Sequence, residues 1–325
     1  MAKTLLQVEH LQVRFNMEAG TCFGVKDVSF SVTEGVNLAL IGESGSGKSV
    51  TSLSCMHLLG NKGRISRGLI TFEGVDITHA GEKEMQKFRG ERMAMIFQEP
   101  MTSLNPVLTI NFQLSEALHL HSNLSKKEIQ NQCRYLLHQV GIGDAEKVLA
   151  GFPHELSGGM RQRVLIAMAI ACKPRLLIAD EPTTALDVTI QAQILELLKS
   201  VQAETGITLM IITHDFGVVA EMADEVVVLY GGYAVEQGEV HDLFTNPLHP
   251  YTQGLLKSVP SLDASIDTPL YAIPGTVPLM LKEQPGCPFH ERCLLGTARC
   301  TQSFPRLQER TQGHAVRCFI GEEAG

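Results

Sequence analysis

Residues 36–49 read VNLALIGESGSGKS, and this stretch decides the fold. The run VNLALI is continuously apolar, which is typical of a strand buried on both faces of a parallel sheet. It leads directly into GESGSGKS, which matches the pattern GxxxxGK[ST] of a phosphate-binding loop (P-loop). Glycines let successive backbone N–H groups turn toward phosphates, and the helix that follows adds the positive end of its dipole. The sequence therefore predicts a nucleotide site here, the alternative being a chance glycine-rich loop.

The rest of the chain indicates an α/β core with additions. Two further buried strands are predicted at RLLIAD (175–180) and TLMIITHD (208–215), with helical patterns between them, so the sheet is expected to be mostly parallel. Alternating residues at 5–15 and 25–32 predict an antiparallel β layer. Helical spacing over about 99–164 predicts a helical insertion, and prolines accumulate after Gly238 in an expected tail or small accessory region.

Composition restricts the class of function. The chain has 27 Lys plus Arg against 35 Asp plus Glu, and the net charge of −8 argues against nucleic acid as the main partner. The longest apolar run, residues 164–172, is about half of what a membrane-spanning helix requires. The first residues, MAKTLLQVEH, contain no apolar region of the signal-peptide kind. We therefore expect a cytosolic location.

A P-loop needs a metal ion and a group that activates water. Lys48 would place its charge at the phosphates, and Ser49 would supply a hydroxyl ligand to Mg²⁺. The strand LLIAD delivers Asp180 at its carboxyl end, where it would hold Mg²⁺ through water, and the adjacent Glu181 would act as general base. The alternative is that Glu181 only caps a turn with Pro182.

The segment LSGGMRQRV at 156–164 predicts a second helix N-terminus that could bind phosphate. This second segment indicates the family. The order GESGSGKS, FQEP (97–100), LSGGM, LLIADEPTTALD and ITHD (212–215) resembles the nucleotide-binding domains of ABC transporters over about residues 5–240. The resemblance implies a P-loop NTPase fold with a RecA-like core, an antiparallel β subdomain and a helical insertion. It divides the chain into a nucleotide-binding domain, 1–240, and a C-terminal accessory region, 241–325.

The same resemblance implies roles for individual residues. Gln98 would contact Mg²⁺ and the attacking water, and His214 the γ-phosphate. Ser157, Gly158 and Gly159 would close over ATP held by the P-loop of a second subunit, with Asp187 communicating across that interface. The expected catalytic residues are Lys48, Gln98, Glu181 and His214, and the expected Mg²⁺ ligands are Ser49, Gln98 and Asp180.

An aromatic ring is expected to stack on adenine. Phe15 is favoured for this role because it fits the end of the first strand, and Phe23 in the following connector is the rival. The full set of expected nucleotide contacts is Phe15, Gly42, Glu43, Ser44, Gly45, Ser46, Gly47, Lys48, Ser49, Val50, Gln98, Ser157, Gly158, Gly159, Asp180 and Asp187.

Three stretches, at 95–106, 155–194 and 246–256, resemble one subfamily, the ATP-binding subunits of bacterial oligopeptide, dipeptide and nickel importers. The resemblance implies an ATP-hydrolysing motor at the cytoplasmic face of the inner membrane. Its partners would be two permeases, a second ATPase subunit, with a heterodimer favoured, and an extracytoplasmic solute-binding protein. Peptide ranks ahead of nickel or a metal chelate as cargo. A soluble ABC protein acting on ribosomes or DNA is the rival, but the chain has neither a second cassette nor long coiled coils.

Four cysteines, Cys287, Cys293, Cys300 and Cys318, cluster with the spacing Cx5Cx6Cx17C. They include no CxxC pair, so a zinc ribbon is a poor match, whereas thiolates on irregular loops can hold an iron–sulfur cluster. The subfamily resemblance implies a four-iron four-sulfur (4Fe-4S) cluster in some members. Zinc and metal-free thiols remain alternatives, and a structural role is preferred to redox sensing. His290 and His314 are interpreted as solvated loop residues.

Overall fold

The computed structural model describes residues 3–18, 20–184, 186–259, 271–277 and 285–321. The strands are β1 (Thr4–Met17), β2 (Gly20–Thr33), β3 (Leu38–Ile41), β4 (Gly63–Phe72), β5 (Val75–Asp76), β6 (Met93–Ile96), β7 (Leu176–Asp180), β8 (Thr208–Thr213), β9 (Glu225–Tyr230), β10 (Tyr233–Glu239), β11 (Gln308–Thr311) and β12 (His314–Val316). The α-helices are α1 (Lys48–Cys55), α2 (Glu82–Met85), α3 (Pro100–Ser103), α4 (Ile110–His121), α5 (Lys126–Gln139), α6 (Ala145–Ala150), α7 (Gly158–Ile170), α8 (Val188–Thr205), α9 (Phe216–Met222), α10 (Val240–Thr245), α11 (Pro250–Lys257) and α12 (Ala298–Gln302).

The chain forms two compact units, which we call the helical unit and the sheet unit. The helical unit comprises Met1–Leu5, Thr33–Gly35 and Ala80–Ile211. The sheet unit comprises Leu6–Val32, Val36–His79 and Ile212–Gly325. Among the described residues, no helix has the length and apolar character needed to cross a membrane.

The sheet unit contains the strand that leads into the P-loop. Strands follow the order β5, β4, β1, β2, β10, β9, β3, and β12 pairs with β10 as well as with β11. All four residues of β3 are buried, and β3 pairs in parallel with β9 from Leu38 opposite Glu225 to Ile41 opposite Val228. β1 pairs antiparallel with β4, so the predicted antiparallel layer and the predicted buried strand are confirmed.

The helical unit contains the predicted insertion. Residues 99–164 form helices α3 to α6 and the start of α7, with no strand among them. A capping box starts α5, in which Ser125 and Glu128 each accept a hydrogen bond from the other's backbone N–H. β6 and β7 pair in parallel, and all five residues of β7 are buried, which confirms the strand predicted at LLIAD.

The region after Gly238 is more regular than its sequence pattern indicates. β12, only three residues long, pairs antiparallel with β10 at Glu236 opposite Val316. Cys287, Phe289 and Cys300 belong to the same buried apolar cluster as residues of β3 and β9. A strand of three residues gives no readable alternation, which explains why the sequence indicated only loosened structure here.

A buried carboxylate joins three segments of this region. Glu236 in β10 has no exposed surface, and its Oε1 lies 2.8 Å from Nε2 of His314 in β12. Oε1 also accepts from the backbone N–H of Leu248 at 2.6 Å, and Oε2 from that of His249 at 2.9 Å. The interpretation of His314 as a solvated loop residue is therefore wrong. Removing one partner of a buried group of this kind typically costs about 3–5 kcal/mol.

A second buried contact joins β2 to the end of β12. Nη2 of Arg317 lies 2.8 Å from Oδ2 of Asp27, and its Nε donates to the carbonyl oxygen of Ala234 at 2.8 Å. Burial alone would raise the pKa of Asp27, but hydrogen bonds and charge from His10 and Arg317 outweigh burial and lower that pKa. Two residues 290 positions apart in sequence are thus held together by charge.

Acid should weaken the sheet unit through His249. Burial lowers the pKa of His249 from 6.5 to about 4, and its Nδ1 accepts from the backbone N–H of Tyr251 at 3.0 Å. The unfolded chain binds this proton near pH 6.5 and the folded chain only near pH 4. We therefore expect a stability contribution on the order of 3 kcal/mol that is present above pH 6.5 and lost as the pH falls to 4.

The measurement is the free energy of urea unfolding at several pH values between 7.5 and 4 for the unsubstituted chain and His249→Asn. Asparagine can still cap α11 but cannot titrate, so the stability deficit of the variant should shrink as the pH falls. His241→Asn, at an exposed histidine of α10, is the matched control. A deficit for His249→Asn that stays constant with pH would contradict this prediction.

Candidate functional site

The P-loop between β3 and α1 can be formed only by glycine at two positions. Gly42 has φ 147°, and a Cβ there would lie 2.2 Å from the carbonyl oxygen of Leu229. Gly47 has φ 106°, and its Cβ would lie 2.8 Å from the carbonyl oxygen of Gly24. Because these close approaches are to backbone atoms, no side chain can move aside to make room. The path of the loop therefore requires glycine at both positions.

The polar groups of the loop suit a phosphate. Nζ of the buried Lys48 donates to the carbonyl oxygens of Gly42, at 2.7 Å, and Glu43, at 3.1 Å. The hydroxyl of Ser46 is buried and has no hydrogen-bond partner among the described residues. Gly47 precedes α1 and has no side chain with which to cap it, so the first N–H groups of the helix remain suited to an anion. Ser44 and Gly45 are exposed, and Ser49 and Val50 are half-buried in the first turn.

Glu43 is bound by residues far along the chain. Its backbone N–H donates to Oη of Tyr251 in α11 at 2.8 Å. Its carboxylate receives two hydrogen bonds from Arg292, with Nη1 to Oε2 at 2.7 Å and Nη2 to Oε1 at 3.0 Å. Arg292 also donates from Nε to the carbonyl oxygen of Pro274 at 2.8 Å. Neither Tyr251 nor Arg292 was among the site residues predicted from sequence, although Tyr251 lies in the stretch 246–256 that resembles the importer subfamily.

The two candidate aromatic rings lie in different surroundings. The ring of Phe15 packs against the backbone of Gly24, since a Cβ there would lie 2.6 Å from Phe15 Cε2 and 2.8 Å from Val50 Cγ1 in α1. Phe23 instead has the guanidinium of Arg14 4.9 Å from its ring centroid. Phe15 therefore lies beside the residues that flank the P-loop, whereas Phe23 is a cation–π partner.

In the helical unit, Gln98 and Glu181 are in contact. Nε2 of Gln98 donates to Oε2 of Glu181 at 2.8 Å, and the hydroxyl of Thr184 donates to the same oxygen at 2.9 Å. Glu181 has φ 48°, a left-handed conformation that a non-glycine residue rarely adopts. Asp180, the last residue of β7, is buried. A strained backbone therefore presents the Glu181 carboxylate to two side-chain donors, one of which, Thr184, the sequence analysis did not identify.

The predicted signature residues open α7. Ser157 caps this helix by accepting from the backbone N–H of Met160 at 3.3 Å, and Asp187 caps α8 by accepting from that of Ile190 at 2.9 Å. A Cβ at Gly159 would lie 3.0 Å from Ile190 Cγ2, so the first turns of α7 and α8 lie close together. Ser157, Gly158 and Asp187 are exposed. These residues thus form one accessible surface of the helical unit.

His214 lies in the sheet unit, immediately after β8, and is exposed. The backbone N–H of the next residue, Asp215, donates to Oγ1 of Thr213 at 3.0 Å. The carboxylate of Asp215 caps α9 through the N–H groups of Gly217 and Val218. His214 is therefore placed at the carboxyl end of a buried strand by a well-bonded turn.

The four clustered cysteines influence one another. Burial raises the pKa of Cys287 to about 12, and the other three thiols add to this rise. Burial also raises the pKa of Cys293 and of Cys318, with further contributions from neighbouring cysteines. Within the described ranges, however, no three His, Cys, Asp or Glu side chains are arranged as a group that could hold a metal ion. The iron–sulfur cluster therefore stays a prediction.

Each of the two neighbouring histidines has a hydrogen-bond partner at one ring nitrogen. Nδ1 of His290 lies 3.0 Å from the carbonyl oxygen of Cys287, and His314 is bonded to Glu236.

Comparison with known proteins decides the family. A profile of the ABC transporter family matches residues 25–184, and one described as "Oligopeptide/dipeptide transporter, C-terminal region" matches residues 235–300. The oligopeptide transport ATP-binding protein AppD of Bacillus subtilis is 50% identical over 99% of this chain and 98% of that protein. This chain belongs to the ABC transporter family. Its resemblance to the peptide-importer subfamily is confirmed, and so is the assignment as an ATPase coupled to transport.

Other relatives of this ABC transporter subunit carry similar descriptions. The dipeptide transport ATP-binding protein DppD of Bacillus subtilis is 47% identical over 98% of this chain and 95% of that protein. The oligopeptide transport ATP-binding protein OppD of Escherichia coli is 48% identical, with 98% and 94% covered. The chain therefore spans nearly the whole length of these proteins.

Solved structures confirm the ABC ATPase fold. A dimeric bacterial ABC transporter cassette matches with a TM-score of 0.64 at 26% identity, covering 72% of this chain and 98% of that chain. The protein cbiO1 from Clostridium perfringens, part of the ABC transporter complex cbiONQ, matches with a TM-score of 0.63 at 30% identity, covering 75% and 92%.

Proposed function

We propose that this chain is the ATP-hydrolysing subunit of an importer of di- or oligopeptides. The observation that carries the proposal is the match at 50% identity, over 99% of the chain, to an oligopeptide transport ATP-binding protein. The match of residues 235–300 to the C-terminal region of such transporters supports it further, because that region lies outside the part shared by ABC transporters in general. In this proposal residues 1–240 bind nucleotide and residues 241–325 form an accessory region.

Each residue predicted from the sequence motifs has a role in the proposed site. Lys48 and the loop of residues 42–50 bind the phosphates, and Phe15 stacks on adenine. Ser49, Gln98 and Asp180 are the proposed ligands of Mg²⁺. Mg²⁺, when bound, neutralises phosphate charge. Glu181 accepts a proton from the attacking water, and its bond from Gln98 keeps the carboxylate oriented. His214 contacts the γ-phosphate.

The proposed assembly is a dimer of ATPase subunits docked on two permeases at the cytoplasmic face of the membrane. A second ATPase subunit, giving a heterodimer, supplies the complementary half-sites. Support comes from the surface that carries Ser157, Gly158 and Asp187, which is exposed in this chain. Each nucleotide site would then combine the P-loop of one subunit with a helix N-terminus of the other, and it is complete only when the two subunits enclose the nucleotides. A solute-binding protein would deliver the peptide.

The test is to purify the tagged subunit from its native membrane in detergent and to identify its stable partners by mass spectrometry. We expect two multi-spanning permeases and a second ATPase. Reconstituted into vesicles with the solute-binding protein, the complex should hydrolyse ATP faster with tripeptides than without them. Stimulation by nickel or a metal chelate instead would reassign the cargo, and recovery with ribosomes or nucleic acid, without permeases, would overturn the transport role.

Replacing Glu181 with glutamine should separate binding from hydrolysis. Glutamine keeps the shape of the side chain and can still bond with Gln98 and Thr184, but it cannot accept the proton of water. We expect the ATP turnover of the complex to fall by about 100-fold or more while ATP binding persists and the closed dimer accumulates. Glu204→Gln, at an exposed carboxylate bonded to Gln139, is the matched control. Turnover at the native rate would remove Glu181 from the role of base.

We further propose that Cys287, Cys293, Cys300 and Cys318 hold a 4Fe-4S cluster with a structural role. Support comes from the mutual influence of the thiols and from the burial of Cys287 and Cys300 in one apolar cluster, against which Cys293 packs. The raised pKa values of Cys287, Cys293 and Cys318 mean that these three thiols are protonated without a metal, so their binding as thiolates would release protons and strengthen with rising pH. A cluster, when bound, would cross-link loops that have only a small hydrophobic core of their own.

The cluster is tested by iron and sulfide analysis of anaerobically purified protein. We expect about four iron atoms per chain, as in a four-iron cluster, and loss of most of this iron in Cys293→Ser. The control is Cys22→Ser, at a half-buried cysteine of β2 outside the group. Unchanged iron in Cys293→Ser would refute the ligand assignment, and stoichiometric zinc in place of iron would refute the cluster.

A further inference from the structure

The P-loop carries a carboxylate that should oppose its own ligand. Glu43 is the second residue of GESGSGKS, and its side chain is 30% exposed. A nucleoside triphosphate brings several negative charges to such a loop, and a like charge a few ångströms away lowers affinity for it. Glu43 contributes no backbone N–H to phosphate either, because its N–H donates to Tyr251 Oη. Something must compensate for this charge if the loop is to bind phosphate tightly.

Arg292 provides the compensating charge. Its side chain is only 5% exposed, and it binds Glu43 through two parallel hydrogen bonds, the geometry that makes arginine–carboxylate pairs strong. The guanidinium also lies 5.6 Å from the ring centroid of Tyr230 and 5.9 Å from that of Phe289. Its Nε donates to the carbonyl oxygen of Pro274. These contacts fix the cation in place before any ligand arrives.

The accessory region contains a second buried arginine, Arg317, whose carboxylate partner differs in its position from that of Arg292. Arg317 is equally buried and also pairs with a carboxylate, but its partner Asp27 lies in β2, outside the P-loop. Arg292 and Tyr251 are the residues by which the accessory region contacts Glu43 directly. Three groups of Glu43 are therefore hydrogen-bonded. The backbone N–H donates to Tyr251, the backbone carbonyl oxygen accepts from Lys48, and the carboxylate accepts from Arg292.

We propose that Arg292 is a positioning residue for nucleotide binding, which neutralises Glu43 and thereby sets the affinity of the P-loop for the phosphates of ATP. This inference rests on the proposed function, since it takes a nucleoside triphosphate as the ligand of the loop. It makes the accessory region part of the nucleotide site, because residue 292 lies in a segment remote in sequence from the motifs that define that site. An intact accessory region is then a condition for tight ATP binding.

The test is an equilibrium titration of the full-length chain with Mg–AMP-PNP, which is not hydrolysed. Arg292→Gln removes the cation from Glu43, and we expect the dissociation constant to rise about tenfold, as an uncompensated negative charge in a phosphate-binding loop would cause. The decisive measurement is the same substitution in a Glu43→Gln background. There we expect Arg292→Gln to change the dissociation constant by less than about twofold, because no charge is left to neutralise.

A purely structural role for Arg292 predicts a different pattern. Loss of packing in the accessory region would lower the unfolding temperature of Arg292→Gln equally in both backgrounds and would leave the dissociation constant unchanged. Equal losses of affinity in the two backgrounds, or no loss in either, would overturn the proposal. Arg317→Gln is the matched control, from which we expect reduced stability but nucleotide affinity within about twofold of the unsubstituted chain.

Arg292→Lys keeps the test informative if Arg292→Gln does not fold. Lysine retains the charge but not the bidentate geometry, so we expect its dissociation constant to rise by less than about threefold. A tenfold rise would contradict the role of charge. If the unsubstituted chain itself fails to bind Mg–AMP-PNP, the proposed function fails, whereas binding that is insensitive to Arg292 removes this inference alone.

Discussion

The fully buried carboxylate of Glu236 is the constraint on which the sheet unit depends. A charge without solvent has to be bonded by protein groups, and here the backbone N–H groups of Leu248 and His249 and the ring of His314 bond it. These partners come from the segment before α11 and from β12. The requirement to satisfy one carboxylate thus fixes α11 and β12 against β10, and α11 in turn carries Tyr251 to the P-loop.

The P-loop shows how a phosphate site is built against competing interactions. Lys48 already donates to two carbonyl oxygens of its own loop, so phosphate oxygens that bind it must compete with these acceptors. Glycines at 42 and 47 let the loop pass close to backbone carbonyl oxygens that a side chain would strike. Affinity therefore depends on charges fixed around the loop as much as on the loop itself, which is where Glu43 and its partners matter.

The parts of the fold that were predictable from sequence are those with a local signal. The apolar run before Gly42 indicated β3, LLIAD indicated β7, and helical spacing indicated the insertion, because each pattern lies within one element. β12 was missed because three residues are too few for a period. His314 was misjudged because the burial of a single histidine is decided by Glu236, 78 residues away. Arg292 was missed for the same reason, since nothing near it in sequence indicates a partner at residue 43.

The pairing of Asp27 with Arg317 has a consequence for biosynthesis. A ribosome delivers β2 long before residue 317, so during that interval Asp27 lacks Arg317 and β10 lacks β12. Contacts of such long sequence separation form late and slowly, since a long loop must be closed first. The sheet unit therefore cannot reach its final packing by folding in step with translation. Until β12 is made, the part of β10 that pairs with it at Glu236 and Gln237 is open to other strands, which raises the risk of aggregation.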